Sequence, residues 1–182
     1  MFASTMCRGG GLVRQARFFP VVLVALLATG PALADDHQVA VFGFELIDSS
    51  LEGSMMGKDE AQQARLARMA PQLREAIADL GGYEIVDVAR VQPKADASNL
   101  QSCGNCALTF AREVGADIAV VGTVQKVSNL ILNINAYAFD VETGKPLARG
   151  SADIRSNTDE SWERGLRYLF KNTLMKQLEA AR

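Results

Sequence analysis

Histidine and cysteine, which mark so many catalytic and metal centres, are scarce in these 182 residues: one His and three Cys. The single imidazole, His37, stands just before the first apolar segment, so no folded part of the chain can pair a serine or cysteine with a histidine base. Zinc would need two ligands beyond Cys103 and Cys106. Haem attachment would need a histidine where Ala107 stands. A G-x-S-x-G elbow, a phosphate loop and a dinucleotide fingerprint are all missing. The chain therefore reads as non-enzymatic, with no catalytic residue, no metal and no cofactor. A surplus of positive charge is missing too, with 19 Lys and Arg against 21 Asp and Glu. That balance lacks the basic footprint that nucleic-acid binding requires.

Long hydrophobic runs are also absent. The longest, Phe18 to Ala28, has eleven residues and contains Pro20. As a helix it would cross only about half of a ~30 Å hydrocarbon core. Arg8, Arg14 and Arg17 precede it and Ala32-Leu33-Ala34 follows. A basic start, a short apolar run and a small-x-small site make a secretory signal peptide, cut between Ala34 and Asp35. The expected organisation is a signal peptide over 1–34 and one domain over 35–182. That leaves no stable membrane span after cleavage and places the product in the periplasm, with a net charge of −5. No cysteine follows the apolar run, so lipidation is not indicated, and Cys7 falls in the leader. At 48% hydrophobic and 22% charged, the whole sequence has the composition of an ordinary globular protein.

Beyond the leader, Val39 to Phe44 is apolar on both faces, as a central strand is. Ile47 to Gly57, with Met55-Met56, reads as a loop. Leu66, Met69, Leu73, Ile77 and Leu80 recur at helical spacing. Pro71 predicts a kink or break there, with the helix restarting at the proline. Strands are predicted at Tyr83–Val88 and Ile118–Val124, with an irregular stretch over 90–101 and a short helix over Cys106–Val114 between them. Two more follow, at about Asn129–Asp140 and at Pro146–Arg155. In the fifth, Ala148, Gly150, Ala152 and Ile154 face inward; Arg149, Ser151, Asp153 and Arg155 face outward. Asn157 and Glu160 resemble a capping box ahead of a last helix that buries Trp162, Leu166, Leu169, Phe170 and Leu174. The order β-α-β-α-β-β-β-α implies an α/β fold. It has one mixed sheet of about five strands, parallel in its first half and an antiparallel meander in its second, with helices packed on it.

The opening Val39-Ala40-Val41-Phe42, then Tyr83-x-Ile85-Val86-Asp87, Gly115-Ala116-Asp117-Ile118 and Asp140-Val141-x-Thr143-Gly144 together resemble the TolB N-terminal-like domain. That domain is also seen in the curli-secretion lipoprotein CsgG and in penicillin-binding-protein activator lipoproteins. Cys103-x-x-Cys106, the run Val124 to Asn135 and Asn157 to Trp162 are similar to a family of small secreted proteobacterial proteins of unknown function. The resemblance implies a periplasmic binding or adaptor protein of the cell envelope with an envelope protein as partner, and it leaves a homo-oligomer open.

Two constellations compete with plainer readings. Cys103 and Cys106 flank a helix start, which would stabilise a thiolate. The alternative function is thus a periplasmic thiol–disulfide redox protein acting through this pair. A redox motif usually follows a strand directly, however, and here the polar Gln101-Ser102 precedes, so a local structural disulfide is the first reading and metal ligation the third. Asn133, Asn135 and Tyr137 share one side of the fourth strand, as Arg149, Asp153 and Arg155 share one side of the fifth. If these are the same side of the sheet, they form either a partner-binding surface or a solvated face with cross-strand pairs. Met55-Met56 is an adaptable docking point or a lid folded onto the sheet. Arg164, Arg167 and Lys171 read as a solvated helix face.

Overall fold

The structure, a computed structural model, describes residues 36–181. The expected leader, its Ala34–Asp35 cleavage point and Cys7 lie outside the described residues. Five strands form one sheet in the order β2-β1-β3-β4-β5. These are β1 (His37–Asp48), β2 (Tyr83–Ile85), β3 (Ile118–Ser128), β4 (Ile131–Asp140) and β5 (Pro146–Ile154). β1 runs parallel to both β2 and β3, and β3, β4 and β5 are antiparallel in turn. The expected mixed α/β sheet is therefore the one observed.

Helices lie on both faces. α2 (Glu60–Ala78) and a C-terminal helix cover one face, called here the closed face. The C-terminal helix comprises α5 (Asp159–Leu169), a π-helical turn (Phe170–Leu174) and α6 (Met175–Ala181). Their core joins Leu73, Ile77, Leu169 and Leu174 to Val39, Val120 and Ile134 of the sheet, all within 1% of complete burial. Gly165 makes the close approach of α5 to β5 feasible, since a Cβ there would stand 2.4 Å from Ile154 Cγ2. On the other face, α3 (Gln92–Asp96) and α4 (Cys106–Glu113) pack over Ala40, Phe42, Ala119 and Val121.

Several local expectations change. Pro71 does not interrupt α2, which runs unbroken for 19 residues with Pro71 exposed. The amide that proline lacks falls on the solvent side, and burial of Met69, Leu73 and Ile77 outweighs the local cost of about 3 kcal/mol. The predicted loop over 47–57 is the end of β1 followed by a short helix, α1 (Leu51–Met56), capped by the Ser50 side chain accepting from Gly53 N. α1 buries no residue, so hydrophobic periodicity had nothing to register. The irregular stretch over 90–101 contains α3, and β2 ends at Ile85. The N-cap of α5 is Thr158, not Asn157; its Oγ1 accepts from Ser161 N. β1 slips register between Val41 and Phe44, and there Arg74 of α2 donates from Nη2 (2.7 Å) and Nε to the Val41 carbonyl. Burial lowers the Arg74 pKa, an effect that Asp87 opposes.

Candidate functional site

The register decides which side chains share the second sheet face. One row across four strands reads Ile47, Gln125, Asn133, Asp153; the next reads Glu45, Thr123, Asn135, Ser151. In the third row Val121, Tyr137 and Arg149 stand side by side. The predicted group is thus brought onto one face. Asn133 Nδ2 donates to Asp153 Oδ1 (2.8 Å) and Ser151 Oγ (2.9 Å), so part of it is a cross-strand pair. Asn135 is nearly buried, Arg149 and Asp153 are exposed, and Arg155 is exposed just past the end of β5. Tyr137 is half-buried beside Phe139, with ring centroids 6.3 Å apart, and packs against the α3–α4 layer. The face is therefore open at the first row and covered from the third.

Cys103 and Cys106 form a disulfide. Cys106 is the first residue of α4 and is half-buried against that layer, whereas Cys103 is exposed. The loop it closes, with Leu108, Tyr137 and Phe139, borders a cleft of about 190 Å³.

The end of the sheet beside the first row carries what sequence reading missed, with α1 (Leu51–Met56) joined to Asp48 and Lys126, whose register partners Leu132 and Ile154 belong to the closed face. Leu51, Met55 and Met56 of α1 are 74%, 76% and 85% exposed. Ile47 near the end of β1, Val127 near the end of β3, Leu130 in the β3–β4 turn and Ile131 at the start of β4 are also exposed. The two methionines are not folded onto the sheet, which disposes of the lid reading.

A polar network fixes α1 to this turn. Lys126, 3% exposed, places Nζ 3.3 Å from Asp48 Oδ2 and 3.7 Å from Glu52 Oε2. Glu52 accepts from Asn129 Nδ2, and Asn129 Oδ1 accepts from Asn157 Nδ2 (3.0 Å). Asn157 also donates to the buried Gln62 (2.9 Å) and accepts from Trp162 Nε1 (2.9 Å) and Arg65 (3.2 Å). Burial pushes the Asp48 carboxyl up, but hydrogen bonds from the Ser50 side chain and backbone, together with Lys126, hold it below the ordinary aspartate range. Lys126, Asn129, Asn157 and Trp162 all belong to the two runs that carry the narrower family resemblance. The signal was present, as residues without an evident partner in sequence.

Among the described residues no group of three or more His, Cys, Asp or Glu side chains is placed to hold a metal ion. No described helix is long and apolar enough to cross a membrane. A family model with the description "Protein of unknown function (DUF2380)" matches residues 37–174. No curated protein matches the chain. Among solved structures, the chain is similar to the LpoB C-terminal domain from Salmonella enterica (18% identity, TM-score 0.47, covering 69% of this chain and 87% of that one). It is similar also to lipoprotein GNA1162 from Neisseria meningitidis (20%, 0.43, 67% and 82%). A third is the PelC dodecamer from Paraburkholderia phytofirmans (16%, 0.44, 82% and 93%).

Proposed function

The chain belongs to this family of unknown function, and from that premise we propose that it is a non-catalytic binding or adaptor protein of the cell envelope, working in the periplasm. The observation that carries this reading is the gathering of exposed aliphatic side chains at one end of the sheet, with α1 held in place by the Lys126 network. Exposed apolar groups so grouped mark an interaction surface more often than a bare surface. Methionine suits it, being flexible and polarisable enough to fit an uneven partner. The charges nearest to it include Asp48, Glu52 and a Lys126 already neutralised by them, which disfavours an anionic lipid and favours a protein. The polar row of Gln125, Asn133 and Asp153 adjoins Ile47 and supplies the hydrogen-bonding rim, with Asn135, Tyr137 and Arg149 further along the face and Arg155 on the opposite side of that row, just past the end of β5. The export signal read from residues 1–34 and the resemblance to an envelope-assembly domain support the compartment.

Site-specific photocrosslinking tests it. A probe in place of Met56, in chain expressed at native level, is expected to yield one discrete adduct in envelope extracts. Met55→Asp should abolish that adduct, and a probe at Lys171, on the solvent side of the C-terminal helix, should give none. An adduct equally strong from Lys171, or none from Met56, would overturn the proposal. An adduct of twice the chain mass would identify a second copy as the partner.

A further inference from the structure

β5 is an edge strand, and its outer side is treated differently along its length. At Arg149 the Gln177 side chain from α6 plays the part of a missing neighbour: Oε1 accepts from Arg149 N (3.2 Å) and Nε2 donates to Arg149 O (2.8 Å). Both backbone groups of Arg149 therefore point away from β4. β5 pairs with β4 without a slip from Ala148 to Ile154, so the alternation of an antiparallel ladder turns the N–H and C=O of Ser151 and Asp153 outward as well. Among the described residues nothing engages those four groups. Beside them runs a groove of about 440 Å³ between β5 and α5, lined by Asp153, Arg155, Arg164, Gly165 and Tyr168. Tyr168 is 59% exposed there, and among the described residues the other large exposed hydrophobic side chains lie at the apolar end.

We propose that this open half of β5 receives an extended, acidic segment of another polypeptide as an added sixth strand. An edge strand flanked by a helix is the geometry in which a peptide gains affinity from main-chain hydrogen bonds and specificity from alternate side chains. Here one set of alternate side chains would lie over Tyr168 and Arg164 and the other beside Arg155. Asp153 is engaged by Asn133, and no carboxylate among the described residues pairs with Arg155. Arg164 holds only the exposed Glu160, at 3.3 Å. The groove thus offers guanidinium groups on both sides of the incoming strand, which selects carboxylates. A second copy fits less well. Register centred on Asp153 would set two aspartates opposite each other, register centred on Ala152 would oppose Arg149 to Arg155, and the registers that set Asp153 opposite an arginine need either Arg149, whose backbone Gln177 already engages, or chain past the end of β5 at Ile154. The outward amides of β5 are distinct from the exposed apolar side chains, although Asp153 and Arg155 also border that end, so the Ser151 and Asp153 amides report on the edge alone and the Met56 adduct on the apolar end.

The probe is an eight-residue capped peptide alternating valine and glutamate, titrated into the chain purified from the envelope fraction while amide exchange is followed by NMR. The expected result is at least tenfold slower exchange at Ser151 and Asp153. The peptide with lysine in place of glutamate should bind at least tenfold more weakly, and the peptide N-methylated at alternate residues should not bind. Asp153→Pro, which removes an outward N–H at a position where an edge strand tolerates proline, should abolish protection. Should that variant fail to fold, Arg155→Glu with Arg164→Glu is expected to reverse the preference from glutamate to lysine. Four results would each overturn the proposal: no binding at millimolar peptide, equal binding of both charges, protection elsewhere, or concentration-dependent protection of these amides without peptide.

Discussion

On the closed face of the sheet, α2 and the C-terminal helix leave Leu73, Ile134 and Leu169 with no exposed surface; on the other face, α3 and α4 cover Ala119 and Val121 but leave Gln125 and Asp153 to water. The layers also differ in composition. The closed layer is built of Leu, Ile, Met, Phe and Trp on long helices, whereas α3 and α4 contribute Ala95, Ala107 and Ala111 from helices of five and eight residues. Burying alanine yields far less free energy per residue than burying leucine. Stability should therefore reside on one face and leave the other free to carry function. Leu73→Ala on α2 is expected to cost about 4 kcal/mol, within the range for fully buried leucines. Leu100→Ala in the loop before α4, where the site is 6% exposed, should cost about 2 kcal/mol. Urea denaturation of both variants measures the contrast, and equal losses would erase it.

The next contrast is polar. The closed face is held by contacts between apolar side chains, whereas α1 is held by Lys126, Asp48 and Glu52. Lys126→Met removes one partner of Asp48 while the Ser50 hydroxyl and amide remain on it, and about 2 kcal/mol of lost stability is expected, the scale of one hydrogen bond to a charged group. The acid limb carries a second signature. The Asp48 pKa is depressed in the folded state, so its contribution is present above the unfolded aspartate value of about 3.9 and is lost as pH falls through the folded value. Asp48→Asn should therefore flatten the loss of stability between about pH 5 and pH 2 in urea melts. An acid limb unchanged by that substitution would remove Asp48 from the account.

The same contrast decides what could be read from the residues alone. The closed face was legible because helical spacing repeats over long elements: Leu66 to Leu80 on α2 and Trp162 to Leu174 at the C-terminus are both found as expected. The alternation of β5 was legible for the same reason, with Ala148, Gly150, Ala152 and Ile154 buried. Elements whose order depends on distant partners escaped. α1 buries nothing and rests on Ser50, Asp48 and the β3–β4 turn, so neither its helicity nor its exposed apolar face leaves a periodic trace. Asn157 satisfies the pattern of a cap, yet its side chain is drawn to Gln62, Asn129 and Trp162, and Thr158 caps instead. Pro71 was read for its local cost, which the buried side of α2 outweighs.

The smallest expected effect separates a structural disulfide from a working one. The Cys103–Cys106 bridge closes a four-residue loop, and on the chain-entropy argument removing it costs at most about 2 kcal/mol. It lies on the weaker face, where Cys106 packs only partly against the α3–α4 layer, so some of that cost should appear as local opening. Cys103→Ser with Cys106→Ser is therefore expected to raise amide exchange in α4 and the 99–105 loop while leaving α2 and the C-terminal helix protected as before. A structural pair also resists reduction, with a potential below about −300 mV, whereas a catalytic pair titrates well above it. Cys103 precedes the N-cap Asn105 and only Cys106 belongs to the first turn of α4, so the potential and the thiolate fraction separate the two readings. A potential above −250 mV in glutathione titration, or a Cys103 thiolate at neutral pH in the reduced chain, would reverse this assignment and make the less stable face a redox surface.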